Sequence, residues 1–174
     1  MSKYFRAFPK IQYDVTGDGV MYTMTNIMRR IKIQDKVKEN LVSFDFYDVQ
    51  DGDTPEIVAY YYYEDVDLHW LVLLANDITD VYSQWPMSVP KFEQYVNGKY
   101  EDINAIHHYE IYQTSGDTTQ IIELPNNTGY PNAEPITNYV YEDRLQKELS
   151  KIRLILPEYV DQIKREFDNL MSRA

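Results

Sequence analysis

The sequence contains no cysteine, which excludes a disulfide framework, a thiolate metal site and a cysteine nucleophile. It also lacks long apolar runs, since no stretch approaches the roughly 20 apolar residues that a transmembrane helix requires. The first ten residues, MSKYFRAFPK, lack the apolar core of a signal peptide. We therefore expect a protein that stays in the cytoplasm of the cell that makes it and has no membrane partner.

Basic residues are scarce relative to acidic ones. The chain has 17 Lys and Arg against 28 Asp and Glu, which gives a formal net charge of −11. A surface of this sign repels phosphate backbones and gains little from counterion release, the main source of affinity for nucleic acids. We therefore expect no nucleic-acid partner.

Motifs for catalysis are missing too. The sequence has no G-x-S-x-G elbow, no glycine-rich phosphate loop, and no nucleophile beside a histidine with an orienting acid. Carboxylate pairs occur throughout so acidic a chain and therefore do not single out a glycosidase site. We expect no enzymatic activity, no cofactor and no small-molecule substrate.

The histidine spacing also argues against a metal site. His107 and His108 are adjacent, which places them on opposite faces of a strand, and no H-x-H or H-x-x-x-H pair occurs. The stretch DVTGDG, from Asp14, imitates the start of a calcium loop, but Thr25 stands where the bidentate glutamate belongs. A plain Asp/Gly turn is favoured there.

Tyrosine is unusually frequent, with 17 residues among 174. A tyrosine ring buries apolar area while its hydroxyl still forms hydrogen bonds, so the residue suits partly wet contact surfaces. Protein contact, or a platform for a sugar, is the theme that this composition favours.

The patterns along the chain predict an α+β fold in four segments. Alternation and turn residues indicate strands, and 3–4 spacing of apolar residues indicates helices. The segments are an N-terminal arm (1–40), a β-α-α centre with a brace helix (41–100), an antiparallel β-hairpin region (101–142) and a C-terminal amphipathic helical segment (143–174).

The centre carries the most specific local signals. A strand over 41–49 is followed by the turn DGD, in which we expect Gly52 to adopt a positive φ. Asp53 or Thr54 caps a helix over about 55–64, which has proline at its first position. A second, buried helix starts at about Asp67, because LHWLVLLAN has a wide apolar stripe.

After the two central helices, the sequence predicts a brace helix at the end of the second segment and a small sheet in the third. The brace helix runs through Phe92 and ends at Gly98, which we expect to be its C-cap. Strands over 106–113 and 118–124 flank the turn TSGD as a β-hairpin, and ITNYVYE (136–142) could add a third strand.

The C-terminal segment has the clearest helical stripe. After Pro157, apolar residues recur at helical spacing, and we expect them to form a partner interface: Val160, Ile163, Phe167 and Leu170. Residues 152–156 fit either a helix or a strand, because the residue before proline is pushed towards extended geometry. These apolar side chains must be buried, either by the rest of the chain, its own body, or by neighbouring subunits that cover them.

The central stretch YDVQDGDTPEIVAYYYYEDVDLHWLVLLAND resembles the LysM pattern. The matching positions are Tyr47, Val49, Gly52, Asp53, Thr54, Ile57, Ala59, Tyr62, Leu73 and Asn76. The resemblance implies a β-α-α centre, and in secreted proteins such modules bind N-acetylglucosamine polymers. A glycan-binding module is therefore the alternative function.

Together with the segments that follow it, this LysM-like centre is similar to the small baseplate wedge subunit of contractile-tailed bacteriophages of the large-myovirus type. The similarity lies in Y-x-x-WP-x-S, then F-x-x-Y-V-x-x-KY, and finally KIRLILPEY with its I-x-x-EF continuation, and it spans Phe5 to Met171. It implies a structural protein of the virion tail, assembled in the host cytoplasm. It also implies that the subunit binds other wedge proteins of a hexameric baseplate and joins adjacent wedges, so that neighbouring subunits are the favoured cover of the C-terminal stripe.

Overall fold

The computed structural model describes residues 4–33, 43–113 and 120–172 of the chain. These residues form helices and small antiparallel sheets, which confirms the α+β class. They fold into two compact units that are discontinuous in sequence. Unit 1 comprises Met1–Val49, Asp53–Gln84 and Lys151–Ala174, and unit 2 comprises Gln50–Gly52 and Trp85–Ser150.

The elements follow one another in a mixed order along the chain. They are β1 (Lys10–Tyr13), β2 (Tyr22–Thr25), β3 (Phe44–Asp48), α1 (Pro55–Tyr63), α2 (His69–Ala75), α3 (Val81–Gln84), α4 (Val89–Lys99), β4 (Ile106–Tyr112), β5 (Ile121–Leu124), β6 (Glu134–Thr137), α5 (Asn138–Ser150), β7 (Lys151–Ile155) and α6 (Pro157–Ser172). Short 3-10 turns lie at Tyr4–Ala7 and Val66–Leu68.

The centre of unit 1 is a β-α-α-β arrangement. Strand β3 pairs antiparallel with β7, from Phe44 opposite Ile155 to Asp48 opposite Lys151. Helix α1 packs on α2, and α2 packs on β7. The buried apolar side chains of these elements are Phe44, Val58, Ala59, Leu71, Val72, Ala75, Ile152, Leu154 and Ile155. The second strand of this sheet thus comes from far along the chain, after all of unit 2.

The open alternative at residues 152–156 is resolved by β7. The strand covers Lys151–Ile155, and α6 begins directly after it at Pro157. Proline disfavours helical geometry at the residue before it and has no N–H to lose at a helix start, so both preferences place the boundary here. The amide of Leu156 continues the strand by donating to the carbonyl of Ser43 at 3.1 Å.

The turn and cap before α1 form as the sequence indicates. Gly52 has a φ of +85°, a conformation that costs other residues free energy. Thr54 is the N-cap, and its Oγ1 accepts a hydrogen bond from the amide of Ile57 at 3.4 Å. Asp53 instead accepts a hydrogen bond from the Tyr47 hydroxyl at 2.9 Å, so it ties the turn to β3.

Unit 2 consists of a small sheet with two helices. The three strands have the order β5-β4-β6, both pairs antiparallel, and α5 packs against β4, β6 and α4. The predicted hairpin of β4 and β5 is present, although its predicted turn TSGD lies outside the described residues.

Two local expectations in unit 2 are wrong. The third strand covers only Glu134–Thr137, and the chain turns helical at Asn138, because NYVYEDRLQKEL also carries a helical pattern with polar residues between its apolar ones. Gly98 does not end α4. The helix continues to Lys99, and its C-cap is Tyr100 in extended geometry, whose amide donates to Val96.

Candidate protein interface

The N-terminal hairpin of β1 and β2 has one apolar and one polar face. Cross-strand pairs place Ile11 opposite Met24 and Tyr13 opposite Tyr22, and alternation puts all four side chains on the same face. Their exposed fractions lie between 39% and 56%. The other face carries polar pairs, including a hydrogen bond from Gln12 to Thr23.

The turn of this hairpin is organised by a carboxylate. Asp14 accepts hydrogen bonds from the backbone amides of Thr16, Gly17 and Gly19. These bonds, that from Gly19 above all, hold the pKa of Asp14 below its ordinary value. The calcium-like motif is therefore the Asp/Gly turn that the sequence favours, with its first carboxylate occupied by backbone donors.

The predicted C-terminal interface residues lie in different environments. Phe167 is only 4% exposed, and it stacks on Tyr4 with ring centroids 5.2 Å apart and contacts Trp70 at 4.7 Å. Phe8 and Met171 complete this aromatic cluster. The expectation that a neighbouring subunit, and not the chain's own body, covers the stripe is therefore wrong for Phe167.

Only part of the C-terminal stripe remains available to a partner. Val160 is buried and Ile163 is half-buried, whereas Leu170 is 42% exposed. A surface cavity of about 470 Å³ lies beside the aromatic cluster, and its lining includes Lys164 and Asp168. The accessible side of α6 is thus a mixed surface with a single large apolar residue.

The four consecutive tyrosines divide between half-buried and exposed positions. The hydroxyl of Tyr63 donates to the carbonyl of Ile155 at 2.9 Å, and that of Tyr62 to Asp45 at 3.3 Å, so both tie α1 to the sheet. Burial, followed by the charge of Asp45, raises the pKa of Tyr62 to about 12. Tyr60 and Tyr61 are exposed instead.

Asn76 has a structural function that the sequence pattern alone does not reveal. Its side-chain amide donates to the carbonyl of Arg153 and accepts from the amide of Arg153, both at 2.8 Å. The side chain therefore pairs with β7 as a neighbouring strand would and links the end of α2 to the sheet. The asparagine at the end of the LysM-like pattern was the available signal, but its partner is 77 residues away.

The two adjacent histidines do not alternate as in a regular strand. Ile106 pairs with Thr137 and His108 with Ile136, so His107 is the additional residue of a β-bulge. The bulge brings the Nδ1 atoms of His107 and His108 to 2.8 Å, while the ring of His107 stacks on Tyr141 at 4.0 Å. The expectation that they point apart is wrong because it assumed an unbroken ladder.

Two buried glutamates anchor α5 to the rest of unit 2. Glu110 accepts from Arg144 at 2.6 Å and lies 3.1 Å from His108, and the hydrogen bond from Arg144 holds the pKa of Glu110 below its ordinary value. Burial alone would raise the pKa of Glu142, but hydrogen bonds from Lys99 and Tyr100, both of 2.7 Å, outweigh it and keep this pKa low.

None of the helices among the described residues is long and apolar enough to cross a membrane. Within the same residues, no group of three or more histidine, aspartate or glutamate side chains is placed to hold a metal ion. The surfaces that stand out are the apolar hairpin face and the exposed side of α1.

Comparison with known protein families gives a match over nearly the whole chain. A family model described as base plate wedge protein 53 matches residues 3–167. The chain belongs to this family of phage baseplate wedge proteins. Comparison with curated proteins gave no match.

Membership of the wedge family implies a component of the virion tail that assembles with other baseplate proteins. The matched range includes the hairpin of β1 and β2, helix α1 and most of α6, so the candidate contact elements lie within it. A structural subunit of this kind works by adhesion to its neighbours, which fits the exposed apolar and tyrosine-rich surfaces described above.

Proposed function

We propose that this chain is a non-enzymatic subunit that binds other wedge proteins and joins adjacent wedges of a hexameric phage baseplate assembled in the host cytoplasm. The observation that carries the proposal is the family match over residues 3–167. The large exposed apolar residues support it, because an acidic, soluble chain that presents them on a hairpin and a helix is suited to protein contact.

We further propose that α6 contributes to the contact with wedge proteins through its accessible side. Leu170 is the exposed member of the stripe, whereas Phe167 holds the helix against Tyr4 and Trp70 from within. The buried members thus fix the helix so that Leu170 and the half-buried Ile163 are presented on a rigid element, which favours binding by lowering the entropy lost on association.

The test is co-purification with the wedge proteins encoded by the same phage. Leu170→Asp should leave the chain folded, because the side chain is already half-exposed, and should reduce the amount of wedge protein retained. Asn169→Asp is the matched control, since it places the same charge one residue away on an exposed position of the same helix. Equal retention by both variants would remove α6 from the contact.

We also propose that the β3-α1-α2-β7 core is LysM-like and serves packing. The antiparallel pairing of β3 with β7 supports the likeness, since it supplies a second strand after the two helices. Titration of the chain with an N-acetylglucosamine pentamer in a calorimeter distinguishes this function from the alternative. We expect no heat of binding, and saturable binding at micromolar concentration would establish a glycan-binding module.

A further inference from the structure

The hairpin of β1 and β2 has no cover for its apolar face among the described residues. Isolated two-stranded hairpins are marginal in water, and here the side chains of one face, Ile11, Tyr13, Tyr22 and Met24, remain 39–56% exposed. Further exposed apolar residues extend the patch around the turn and beyond β2: Val15, Val20, Met21, Ile27 and Met28. Such a patch on a soluble chain indicates a binding surface.

The charge of the chain is divided unevenly about this hairpin. Residues 1–40 contain eight Lys and Arg against four Asp and Glu, a formal charge of +4, so the other 134 residues carry −15 of the total of −11. Lys10 lies within β1, and Arg29 and Arg30 follow β2. The charge of the basic residues 1–40 in one copy is therefore complementary to the charge of the acidic remainder of a second copy.

The exposed side of α1 has the matching chemistry. Ile57, Tyr60 and Tyr61 lie on one face of the helix by their spacing of three and four residues and are exposed. Glu56 and Glu64, both exposed, flank this apolar centre at the two ends of the helix. The hairpin has basic residues at one end, Arg29 and Arg30 after β2. Lys10 lies on its polar face opposite Thr25, and the two aspartates of its turn, Asp14 and Asp18, accept hydrogen bonds from backbone amides.

We propose that the hairpin of one copy docks on the exposed face of α1 of a second copy. The contact is heterologous, because each copy gives a different surface, and heterologous contacts form rings where the rotation closes. The inference rests on the proposed function, and it specifies the contact by which one wedge is joined to the next. The contact involves one two-stranded hairpin and one face of a nine-residue helix, so we expect weak association that ring closure strengthens.

A mixing experiment with full-length protein tests the proposal. One variant carries Tyr13→Glu and Met24→Glu in the hairpin, and the other carries Tyr60→Lys and Tyr61→Lys on α1. All four side chains are exposed, so both variants should fold, which circular dichroism and melting temperature would check. The control is Tyr82→Glu, because Tyr82 is 93% exposed and belongs to neither surface.

Sedimentation velocity from low to high micromolar concentration gives the readout. We expect the parent chain and Tyr82→Glu to form concentration-dependent oligomers and each double variant to stay monomeric. An equimolar mixture of the two double variants should form dimers that do not grow, since one intact hairpin and one intact α1 face remain. A hairpin variant that associates like the parent, or a mixture that stays monomeric, overturns the proposal.

The proposed function has a separate readout. A chain that stays monomeric at all concentrations but is retained by wedge proteins refutes docking between copies and leaves the proposed function standing. A chain that neither associates with itself nor is retained refutes both. A hairpin variant that loses retention while its association with other copies is unchanged assigns the hairpin to a different partner and overturns the inference.

Discussion

Unit 1 and unit 2 differ in what they bury. The buried side chains of unit 1 are apolar, and its aromatic cluster joins Phe8, Phe167 and Met171 from the two ends of the chain. The buried polar residues of the described chain, His108, Glu110, Asn138 and Glu142, all lie in unit 2. Unit 1 is therefore stabilised mainly by apolar burial, and unit 2 depends in addition on ionised groups that must stay paired.

The polar interior of unit 2 is fully paired. No buried side-chain nitrogen or oxygen atom among the described residues lacks a hydrogen-bond partner. A buried charge without a partner costs several kcal/mol, so pairing is what makes such an interior tolerable. Removing one partner of a buried charged pair should thus lower the stability of unit 2, whereas removing a buried aromatic ring should lower the stability of unit 1.

The largest expected effect is the removal of an aromatic ring from unit 1. Phe167→Ala should lower the free energy of unfolding by about 3–5 kcal/mol, because it removes a buried ring and leaves a cavity among Tyr4, Phe8 and Trp70. Leu170→Ala, on the exposed side of the same helix, should cost less than about 1 kcal/mol. Urea denaturation would measure both, and equal effects would contradict the assignment of Phe167 to the core.

The second effect concerns the paired charge in unit 2. Glu142→Gln keeps the side-chain shape but removes the negative charge of the group that accepts hydrogen bonds from Lys99 and Tyr100. It should lower the free energy of unfolding by about 1–3 kcal/mol. The control is Asp143→Asn, which breaks the exposed pair with Lys147 and should cost less than about 0.5 kcal/mol. Hydrogen exchange should place the loss of protection in unit 2.

The sequence predicts unit 1 better than unit 2 for a physical reason. The cap at Thr54, the turn at Gly52 and the stripe of α6 depend on residues close together in the chain, so their signals are local. The pairing of β3 with β7 and of Asn76 with Arg153 joins residues 77 or more apart, and no local pattern specifies such a partner.

The sequence predicts unit 2 less well where its backbone departs from the regular alternation of a strand or from a single type of element. The bulge at His107 adds a residue to one strand only, and alternation therefore fails there. The switch from β6 to α5 at Asn138 occurs inside one amphipathic stretch whose pattern suits both structures. The sequence does not predict the burial of Glu110 and Glu142, because glutamates in so acidic a chain resemble solvated surface residues.

The third effect is the response to acid. The pKa values of Glu110 and Glu142 are lowered in the fold, so their contribution to stability is fully present above their unfolded pKa of about 4.3 and is lost as the pH falls through their folded values. The melting temperature should therefore fall between about pH 5 and pH 3.

A comparison of variants isolates these two groups from the other carboxylates. The double variant Glu110→Gln/Glu142→Gln should melt lower than the parent at neutral pH but should lose less on acidification, because the two titrating groups are gone. Trp85 lies in unit 2 and Trp70 in unit 1, so the fluorescence of single-tryptophan variants would report on each unit separately. An identical acid response in the parent and the double variant would show that other carboxylates dominate.

The smallest effect tests a local signal in unit 1. Thr54→Ala removes the hydroxyl that accepts from the amide of Ile57, and cap loss costs about 0.5–2 kcal/mol. The bond is long, at 3.4 Å, and the site is exposed, so water can replace it and we expect a loss near the lower limit. Thr54→Ser keeps the acceptor and should melt like the parent. The amide of Ile57 should exchange faster in the alanine variant, whereas that of Val58, which donates to the Thr54 carbonyl at 3.0 Å, should change less. Equal exchange at both amides would mean that the start of α1 is held by its packing in unit 1, and that the capping hydroxyl contributes nothing measurable.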